Sequence, residues 1–272
     1  MALKVLFPKE KNLLRYDDMS RDFGMSEAHF HNFYEVYFLV NGKCRFSVEN
    51  HIYDINKNDM LIIPPGQVHM ANDYFGMSNR IIIHFPKAYI DAPFKESLDR
   101  FRQSNYYVPK SPEYIARLLE KINFELKKDD PLSPFMAHSH LMLLLGYIAR
   151  NESHLDSSKS SSLPSVKLTE KLMDFVINNC HEDISLQDLA DKFGYNANYL
   201  STLFKKNSGV TFKNFLILQR VKNAEYMLAT TDKPIIEIAN TCGFNDSNYF
   251  STIFKNIHGM SPREYRKSSQ YI

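Results

Sequence analysis

The spacing of hydrophobic and polar residues changes along the chain and divides it into regions. Between residues 30 and 85, apolar, β-branched and aromatic residues form short runs, and turn residues such as Asn41-Gly42 and Pro64 to Gly66 separate them at close intervals. Runs with this spacing are typical of antiparallel strands. They read YEVYFLV, KCRFSVE, HIYDI, DMLIIPP and NRIIIHF. The pattern predicts an antiparallel β-barrel or sandwich within about residues 1–90.

The period becomes helical between about residues 91 and 150. SPEYIARLLEKINFEL repeats apolar residues at Ile115, Leu118, Leu119 and Ile122, and SPFMAHSHLMLLLGYIA is a second, more apolar stretch. Apolar residues three and four apart share one face of an α-helix. We expect two helices that complete an N-terminal domain of residues 1–150. Because the second has more apolar surface than one packed helix needs, the pattern also favours a homodimer.

Residues 151–165 read NESHLDSSKSSSLPS, a serine-rich composition that is typical of a flexible linker. Residues 166–272 follow as short helical patterns that contain a unit of about 50 residues twice. After one inserted residue, GYNANYLSTLFKKNSGVTFKNF from Gly194 matches GFNDSNYFSTIFKNIHGMSPREY from Gly243. The fold class is therefore α+β in two domains, of which the second is all-α and duplicated.

Each copy of the repeat has the features of a helix-turn-helix. A small residue, Ala190 or Ala239, precedes Gly194 or Gly243 by four positions. The small residue lets a second helix cross closely, and the glycine supplies a left-handed turn. The helix that follows has an apolar face and a polar face. The polar face carries Asn198, Ser201, Thr202 and Lys205 in the first copy, and Ser247, Asn248, Ser251, Thr252 and Lys255 in the second.

Side chains of these types fit DNA. Asn, Ser and Thr contact base edges or phosphates, and lysine contacts phosphates. Between the copies, TFKNFLILQRVKNAEYMLATT predicts a continuous helix of about 18 residues, roughly 27 Å long. A rod of that length could hold two recognition helices about one DNA turn apart. We expect Arg220, in the middle of this rod, to pair with an acidic neighbour rather than with DNA.

The composition excludes several classes of protein but does not by itself indicate a function. The chain has 272 residues and a net charge of only +2, so DNA binding would depend on where charges lie. Its three cysteines form no CxxC pair, which favours buried thiols over a disulfide framework or a zinc ribbon. No run of apolar residues is long enough for a membrane span, and the N-terminus lacks the pattern of an export signal. We expect a cytoplasmic protein with no membrane partner.

The duplicated region resembles a known family. IIEIANTCGFNDSNYFSTIFKNIHGMSPREYR and LQDLADKFGYNANYLSTLFKKNSGVTF resemble the two helix-turn-helix units of the AraC/XylS transcription regulators. The resemblance covers about 100 residues. It implies a regulator, not an enzyme, whose partners are double-stranded promoter DNA and a small-molecule effector, with RNA polymerase as a further candidate. Activator and repressor both stay open. Many relatives have arginine where this chain has Thr202 and Thr252, so we expect weaker guanine recognition there and contacts to thymine methyls instead.

The N-terminal half resembles the cupins. HFHNFYEVYFLVNG is similar to the first cupin motif and NDMLIIPPGQVHMAN to the second. In metal-binding cupins the corresponding ligands would be His29, His31, Glu35 and His69, a set suited to Fe, Mn, Ni or Zn. The cupin-like sensors of AraC-type regulators bind sugars or other small molecules without needing a metal, so we expect no metal and no cofactor. The predicted ligand-binding set is His29, His31, Glu35, Tyr37, Arg45 and His69.

Two other functions remain open at this stage. The first is a metal-dependent cupin enzyme, an isomerase or a dioxygenase, with a helical adaptor domain. The second is a constitutive DNA-binding protein whose barrel serves only for dimerisation. For His31 and Arg45, the alternative to a pocket residue is an exposed strand residue.

Overall fold

A computed structural model of the chain describes residues 14–21, 28–72, 78–90, 92–151 and 163–269. Within these residues an antiparallel β part precedes an all-α part, which confirms the predicted two-domain α+β class. Of the predicted linker, residues 152–162 lie outside the described residues. The helix that follows begins at Pro164, inside the segment predicted as linker. No helix in the described ranges is long and apolar enough to cross a membrane.

Two antiparallel sheets form the β part as described. The strands are β1 Arg15–Arg21, β2 Tyr34–Asn41, β3 Lys43–Val48, β4 His51–Asn56, β5 Met60–Ile63, β6 His69–Asn72, β7 Ser78–Phe85 and β8 Tyr106–Tyr107. One sheet has the order β1-β7-β2-β5-β8, and the other has the order β4-β3-β6. The five apolar runs correspond to β2, β3, β4, β5 and β7. The remaining strands are polar or very short, which is why periodicity did not predict them.

Strand alternation gives the three-stranded sheet two buried faces. In β3, Cys44, Phe46 and Val48 pack towards the five-stranded sheet, in the core between the sheets. Arg45 and Ser47 are buried on the opposite face, where they bond to the C-terminal domain. Successive residues of a strand point to opposite sides. The three-stranded sheet therefore lies between the barrel interior and the C-terminal domain.

Helices cover the outer face of the five-stranded sheet. They are α1 Ala92–Asp99, α2 Pro112–Leu126 and α3 Ser133–Arg150. The predicted apolar stripe of α2 is buried at all four positions. On α3, Leu141, Leu144, Leu145 and Ile148 belong to the same core. The short helix α1 was not predicted, because its eight residues offer too little periodicity.

Seven helices make up the described C-terminal domain: α4 Pro164–Asn179, α5 Leu186–Phe193, α6 Ala197–Ser208, α7 Phe212–Thr230, α8 Ile235–Thr241, α9 Ser247–His258 and α10 Pro262–Ser269. We call α5 and α6 the first unit and α8 and α9 the second unit. The 19 residues of α7 join them, as the sequence predicted. One core cluster combines this domain with Ala28, Phe30, Ile52, Val68 and Met70 of the β part.

Candidate DNA-binding face and effector pocket

Local capping fixes the two helices of the first unit. At the start of α5, the Ser185 hydroxyl accepts a hydrogen bond from the Asp188 N–H (3.2 Å), and the Asp188 carboxylate accepts one from the Ser185 N–H (2.7 Å). This capping box satisfies N–H groups that the helix leaves unpaired. Gly194 ends the helix at φ +73°, and the Asn196 side chain then caps α6. The helix-turn-helix predicted from Ala190 and Gly194 is thus built by local interactions.

The predicted DNA-binding residues share one face in each unit. Asn198, Ser201, Thr202 and Lys205 are all exposed on α6. Their spacing of three and four residues places them in one row. On α9, Asn248, Thr252 and Lys255 are exposed, and Ser247 and Ser251 are partly buried. The docking of the domain against the barrel leaves both rows open to solvent.

The two threonines have the same internal bond. Thr202 donates its hydroxyl hydrogen to the Asn198 carbonyl (3.0 Å), and Thr252 donates to the Asn248 carbonyl (2.9 Å). Each hydroxyl hydrogen is therefore used within its own helix. What remains for DNA is the methyl group and a hydroxyl lone pair, which fits apolar contact with a thymine methyl better than contact with guanine.

Arg220 has a structural role, but its partners differ from those expected. Its Nε donates to the Cys180 carbonyl and its Nη2 to the Glu182 carbonyl, both at 2.7 Å. The guanidinium also lies 5.9 Å from the ring centroid of Phe244. The expectation of an acidic side-chain partner is therefore corrected. The arginine ties α7 to backbone oxygens at the end of α4.

Four of the predicted pocket residues converge inside the barrel. His29, His31, Glu35 and His69 are buried, and one potential ligand atom from each lies within 4.8 Å of the others. Two backbone hydrogen bonds, of 3.1 and 2.8 Å, join His29 and His69. Two motifs, with His29 and His69 40 residues apart, meet across this bridge, which brings the four predicted residues together.

Hydrogen bonds to the backbone orient two of the imidazoles. His31 Nδ1 lies 3.0 Å from the Phe33 carbonyl oxygen, and His69 Nδ1 lies 2.9 Å from that of Gln67. A carbonyl oxygen only accepts, so each Nδ1 donates. The Nε2 atoms then face Glu35 Oε2, at 3.3 Å from His31 and 3.6 Å from His69.

His84 is a member of this cluster that the sequence did not indicate. Its Nε2 lies 2.9 Å from Glu35 Oε2, because Glu35 on β2 pairs with His84 on β7. Burial lowers the pKa of His31 to about 4, which keeps its imidazole neutral. Burial alone would raise the pKa of Glu35, but His69, His31 and His84 together hold it well below the usual range. The cluster is a buried carboxylate surrounded by imidazoles.

The other two predicted pocket residues lie on opposite sides of the three-stranded sheet. Tyr37 is buried between the sheets, with its ring 5.0 Å from that of Phe46, and burial raises the pKa of its hydroxyl. Arg45 lies on the outward face of β3, where it forms a forked ion pair with Asp54 (2.6 and 2.8 Å) and reaches Asn207 (3.4 Å). The expectation that Arg45 accompanies Tyr37 inside the barrel is corrected, since the two point to opposite sides of the three-stranded sheet.

Arg45 belongs to a polar interface between the two domains. Ser47 donates to the Ser208 carbonyl at 2.9 Å, and Lys222 pairs with Glu49 at 2.6 Å. Aromatic contact is added by Phe30, whose ring lies 5.7 Å from that of His258. Sequence reasoning missed this interface, because none of these contacts is local.

Comparison with known proteins agrees with this architecture. Residues 10–145 match the model of the AraC-like ligand binding domain, and residues 189–268 match that of a helix-turn-helix domain. The chain is 28% identical over 259 residues to the HTH-type transcriptional activator RhaS of Mannheimia succiniciproducens, with 88% of each chain covered. It is 24% identical over 259 residues to the melibiose operon regulatory protein of Escherichia coli K12, covering 90% of this chain and 85% of that one.

Among solved structures, ToxT from Vibrio cholerae aligns with 94% of this chain and 98% of its own at 16% identity, with a TM-score of 0.38. The ligand-binding match spans half of the 272 residues, and the helix-turn-helix match follows it in the order that the fold shows. The chain therefore belongs to the AraC family of transcription regulators, which respond to ligands and bind DNA, and it is not an enzyme.

Proposed function

We propose that this regulator binds promoter DNA through α6 and α9 and responds to a small metabolite, a sugar in the first instance, held in the barrel. The observation that carries the proposal is the exposure of both polar rows while the domain is docked. Interdomain bonds use the C-terminal end of α6 and the side of α7, at Asn207, Ser208 and Lys222. The rows on the two recognition helices are thus available to DNA while the barrel contacts other surfaces.

The roles in DNA binding divide by chemistry. Asparagine, serine and threonine side chains contact bases, and lysines contact phosphates. The base-contacting residues are Asn198, Ser201 and Thr202 in the first unit, and Ser247, Asn248, Ser251 and Thr252 in the second. Lys205 and Lys255 contact phosphates. Further exposed cations flank the helices: Lys206, Lys213, Arg263 and Lys267.

The effector pocket centres on the buried polar cluster. His29, His31, Glu35 and His69 offer hydrogen-bonding groups that suit the hydroxyls of a sugar, with Tyr37 in the adjoining layer. Support for the sugar class comes from the melibiose operon regulatory protein, which is named for a sugar operon. The test is a thermal-shift screen of sugars and metabolites. An increase in melting temperature that is lost in His69→Ala supports the assignment, and an unaffected increase rejects it.

The exposed apolar face of α3 supports a homodimer. Phe135 is 71% exposed and Leu143 53%, and Leu132, which directly precedes the helix, is 65% exposed. Large apolar side chains exposed side by side mark interaction surfaces. We place the dimer in the cytoplasm, where RNA polymerase is the further partner at the promoter. Light scattering at micromolar concentration tests the dimer, which Phe135→Glu would disrupt. A monomeric wild-type mass with and without DNA would reject it.

Promoter binding by single variants tests the DNA assignment. Asn248→Ala and Thr252→Ala should relax discrimination between promoter and mutated sites, by about 1–3 kcal/mol at the contacted base pair. Lys255→Ala should weaken binding to all sequences alike and reduce the salt slope by about one. Lys127→Ala, an exposed lysine in the N-terminal domain, is the control. Wild-type behaviour of all three second-unit variants would exclude α9 as a recognition helix.

A further inference from the structure

The buried cluster of side chains inside the barrel has the composition of a metal site. We propose that His29, His31, Glu35 and His69 hold a divalent transition-metal ion, and that its binding is communicated to the DNA-binding domain through the same two backbone segments. The proposal deepens the proposed function, on which its DNA readout rests, by assigning the chemistry of the occupant. It replaces the metal-free pocket expected from the resemblance to AraC-type sensors, and it makes the ion, rather than a sugar hydroxyl, the direct partner of the four side chains.

The donor set and its spacing fit such an ion. Three imidazoles and one carboxylate, without a cysteine, suit borderline divalent ions such as Zn²⁺, Co²⁺, Ni²⁺ or Fe²⁺. Metal–nitrogen and metal–oxygen bonds are about 2.0–2.2 Å, so ligand atoms around one ion lie roughly 3–4.5 Å apart. The four atoms here lie within 4.8 Å of one another. Little movement would bring them onto a single ion.

The orientation of the imidazoles is a second, independent observation. His31 and His69 use Nδ1 to donate to the Phe33 and Gln67 carbonyls, so their Nε2 atoms point at the Glu35 carboxylate. With Nδ1 as the donor, each Nε2 turns its lone pair towards a carboxylate oxygen, an arrangement that a cation between them stabilises. Metal-bound histidines are typically held this way, with the other ring nitrogen donating to a carbonyl.

Buried atoms in the cluster lack partners. Among the described residues, His69 Nε2 and Glu35 Oε1 are fully buried and make no hydrogen bond. A buried polar atom without a hydrogen bond is costly, and an ion bound beside it would remove that cost. His84 contacts Glu35 Oε2 at 2.9 Å and acts as a positioning residue for the carboxylate. An ion between the carboxylate and the Nε2 atoms of His31 and His69 would contact Glu35 Oε2 and would also give Oε1 a partner.

The same backbone segments carry the contacts to the DNA-binding domain. His29 and His31 flank Phe30, whose ring faces His258 of α9. On the bridged segment, His69 is followed by Met70, whose side chain packs beside Gly209 at the end of α6. Because neighbouring strand residues point to opposite sides, a shift of either histidine towards an ion moves an interface residue directly. On each segment, a proposed ligand of the ion is therefore the sequence neighbour of a residue that contacts a recognition helix or its end: Phe30 beside α9 and Met70 beside α6.

Metal binding by the full-length protein is the first test. The protein is stripped with a chelator and titrated with Zn²⁺ and with Co²⁺, using elemental analysis, the visible absorption of Co²⁺ and melting temperature as readouts. We expect one ion per chain and a rise in melting temperature on loading. Glu35→Gln, which keeps the shape of the side chain, should weaken Co²⁺ binding at least tenfold. His181→Ala, which removes an exposed histidine, should bind as the wild type does.

Several outcomes would overturn the metal site. Folded wild-type protein that takes up no ion at 100 µM would do so, as would an ion that binds Glu35→Gln and wild type equally. Loss of Co²⁺ binding in His181→Ala would show that the ion binds at the surface instead. Folding of each variant is checked by circular dichroism. If Glu35→Gln fails to fold, His84→Phe supplies the second variant. It removes one contact to Glu35, which keeps its contacts to His31 and His69, and it should weaken Co²⁺ binding about tenfold.

DNA binding tests the coupling. Promoter affinity of the wild type should change severalfold between stripped and Zn²⁺-loaded protein. Met70→Ala should take up Co²⁺ as the wild type does and lose most of that change. Equal promoter affinity with and without the ion would overturn the coupling but leave the site intact. Absence of sequence-specific DNA binding in every state would reject the proposed function rather than the metal site.

Discussion

The two helix-turn-helix units share a local design but differ in their surroundings. In both, a side-chain cap starts the recognition helix, a glycine with positive φ ends it, and a polar row is exposed. Directional polar bonds hold the first unit to the barrel, through Asn207 and Ser208. The second meets the barrel through a ring contact between His258 and Phe30. The shared design serves DNA binding, whereas the differences determine how the barrel can act on each unit.

The turn glycines should show the largest difference between the units. Gly194 and Gly243 both have positive φ, which costs an alanine about 1 kcal/mol. A Cβ at Gly194 meets no atom within 4 Å, but at Gly243 it would lie 2.7 Å from the Cys180 carbonyl oxygen and 2.9 Å from Arg220 Nε. That oxygen is held by Arg220 and cannot withdraw freely.

We therefore expect Gly194→Ala to lower the free energy of unfolding by about 1 kcal/mol, and Gly243→Ala to lower it by about 3 kcal/mol or more. Urea denaturation of the two full-length variants measures both values. Equal losses would mean that α7 and α4 relax around the second turn more readily than these contacts imply.

The polar attachment of the first unit should be the next most sensitive feature. Arg45→Ala removes the fork to Asp54 and the bond to Asn207, and it should destabilise the protein by about 2 kcal/mol because Asp54 is only partly exposed. Hydrogen exchange should rise at the end of α6 and stay unchanged at the end of α9. Lys57→Ala, at an exposed turn, is the matched control. A rise of equal size in both helices would contradict separate attachment of the units.

A pH response should distinguish the second unit from the first. His258 stands where the first unit has Ser208, and burial lowers the pKa of His258 from 6.5 to about 3. The folded protein keeps it neutral, while the unfolded chain protonates it below pH 6.5. Its contribution is complete above pH 6.5 and is lost as the pH falls towards 3, by about 1.4 kcal/mol at pH 5.5.

Urea denaturation at pH 7.5, 6.5 and 5.5 measures this loss, and His258→Phe should reduce it. The comparison with the variant is needed because burial raises the pKa of neighbouring Glu225, which lies 3.9 Å from His258 and titrates with the opposite effect on stability. Identical pH profiles for wild type and variant would show that His258 does not control this response.

Local signals explain why so much of this fold could be predicted from the sequence. The α2 stripe and both helix-turn-helix units depend on residues within a few turns of one another, and the repeat supplied each prediction twice. β1, with the polar sequence RYDDMSR, is instead defined by its pairing with β7. Pairing with a strand far along the chain produces no hydrophobic periodicity within β1 itself, so the sequence did not predict this strand.

The candidate site likewise combines residues that local spacing predicts with residues that only the tertiary structure brings in. His29, His31 and Glu35 follow a spacing that one strand segment enforces, so the sequence predicted them together. His84 joins them only through the register of β2 and β7, 49 residues along the chain from Glu35. Arg45 was predicted as an inward companion of Tyr37 on the next strand, but strand alternation directs Cys44, Phe46 and Val48 inwards and Arg45 outwards. The docked second domain buries the outward face as well, and that contact is not visible in the sequence.

Of the differences between the two units, the one between their N-caps should have the smallest effect on stability. Asn196 caps α6, accepting from the Asn198 N–H at 2.9 Å, and Asp246 caps α9, accepting from the Asn248 N–H at 2.7 Å. The geometry is equivalent, but only Asp246 has a charge. A carboxylate at a helix N-terminus adds about 0.3–1 kcal/mol of stability, and the same charge repels a DNA phosphate that approaches that terminus.

Exchanging the caps should therefore separate stability from DNA affinity. Asp246→Asn should lower stability by up to about 0.5 kcal/mol and strengthen promoter binding, and Asn196→Asp should do the reverse. Both affinity changes should shrink as salt is raised from 50 to 200 mM, because the repulsion is screened. If the exchanges moved promoter affinity in the same direction, the two helices would not meet the phosphate backbone in equivalent ways, despite their shared local design.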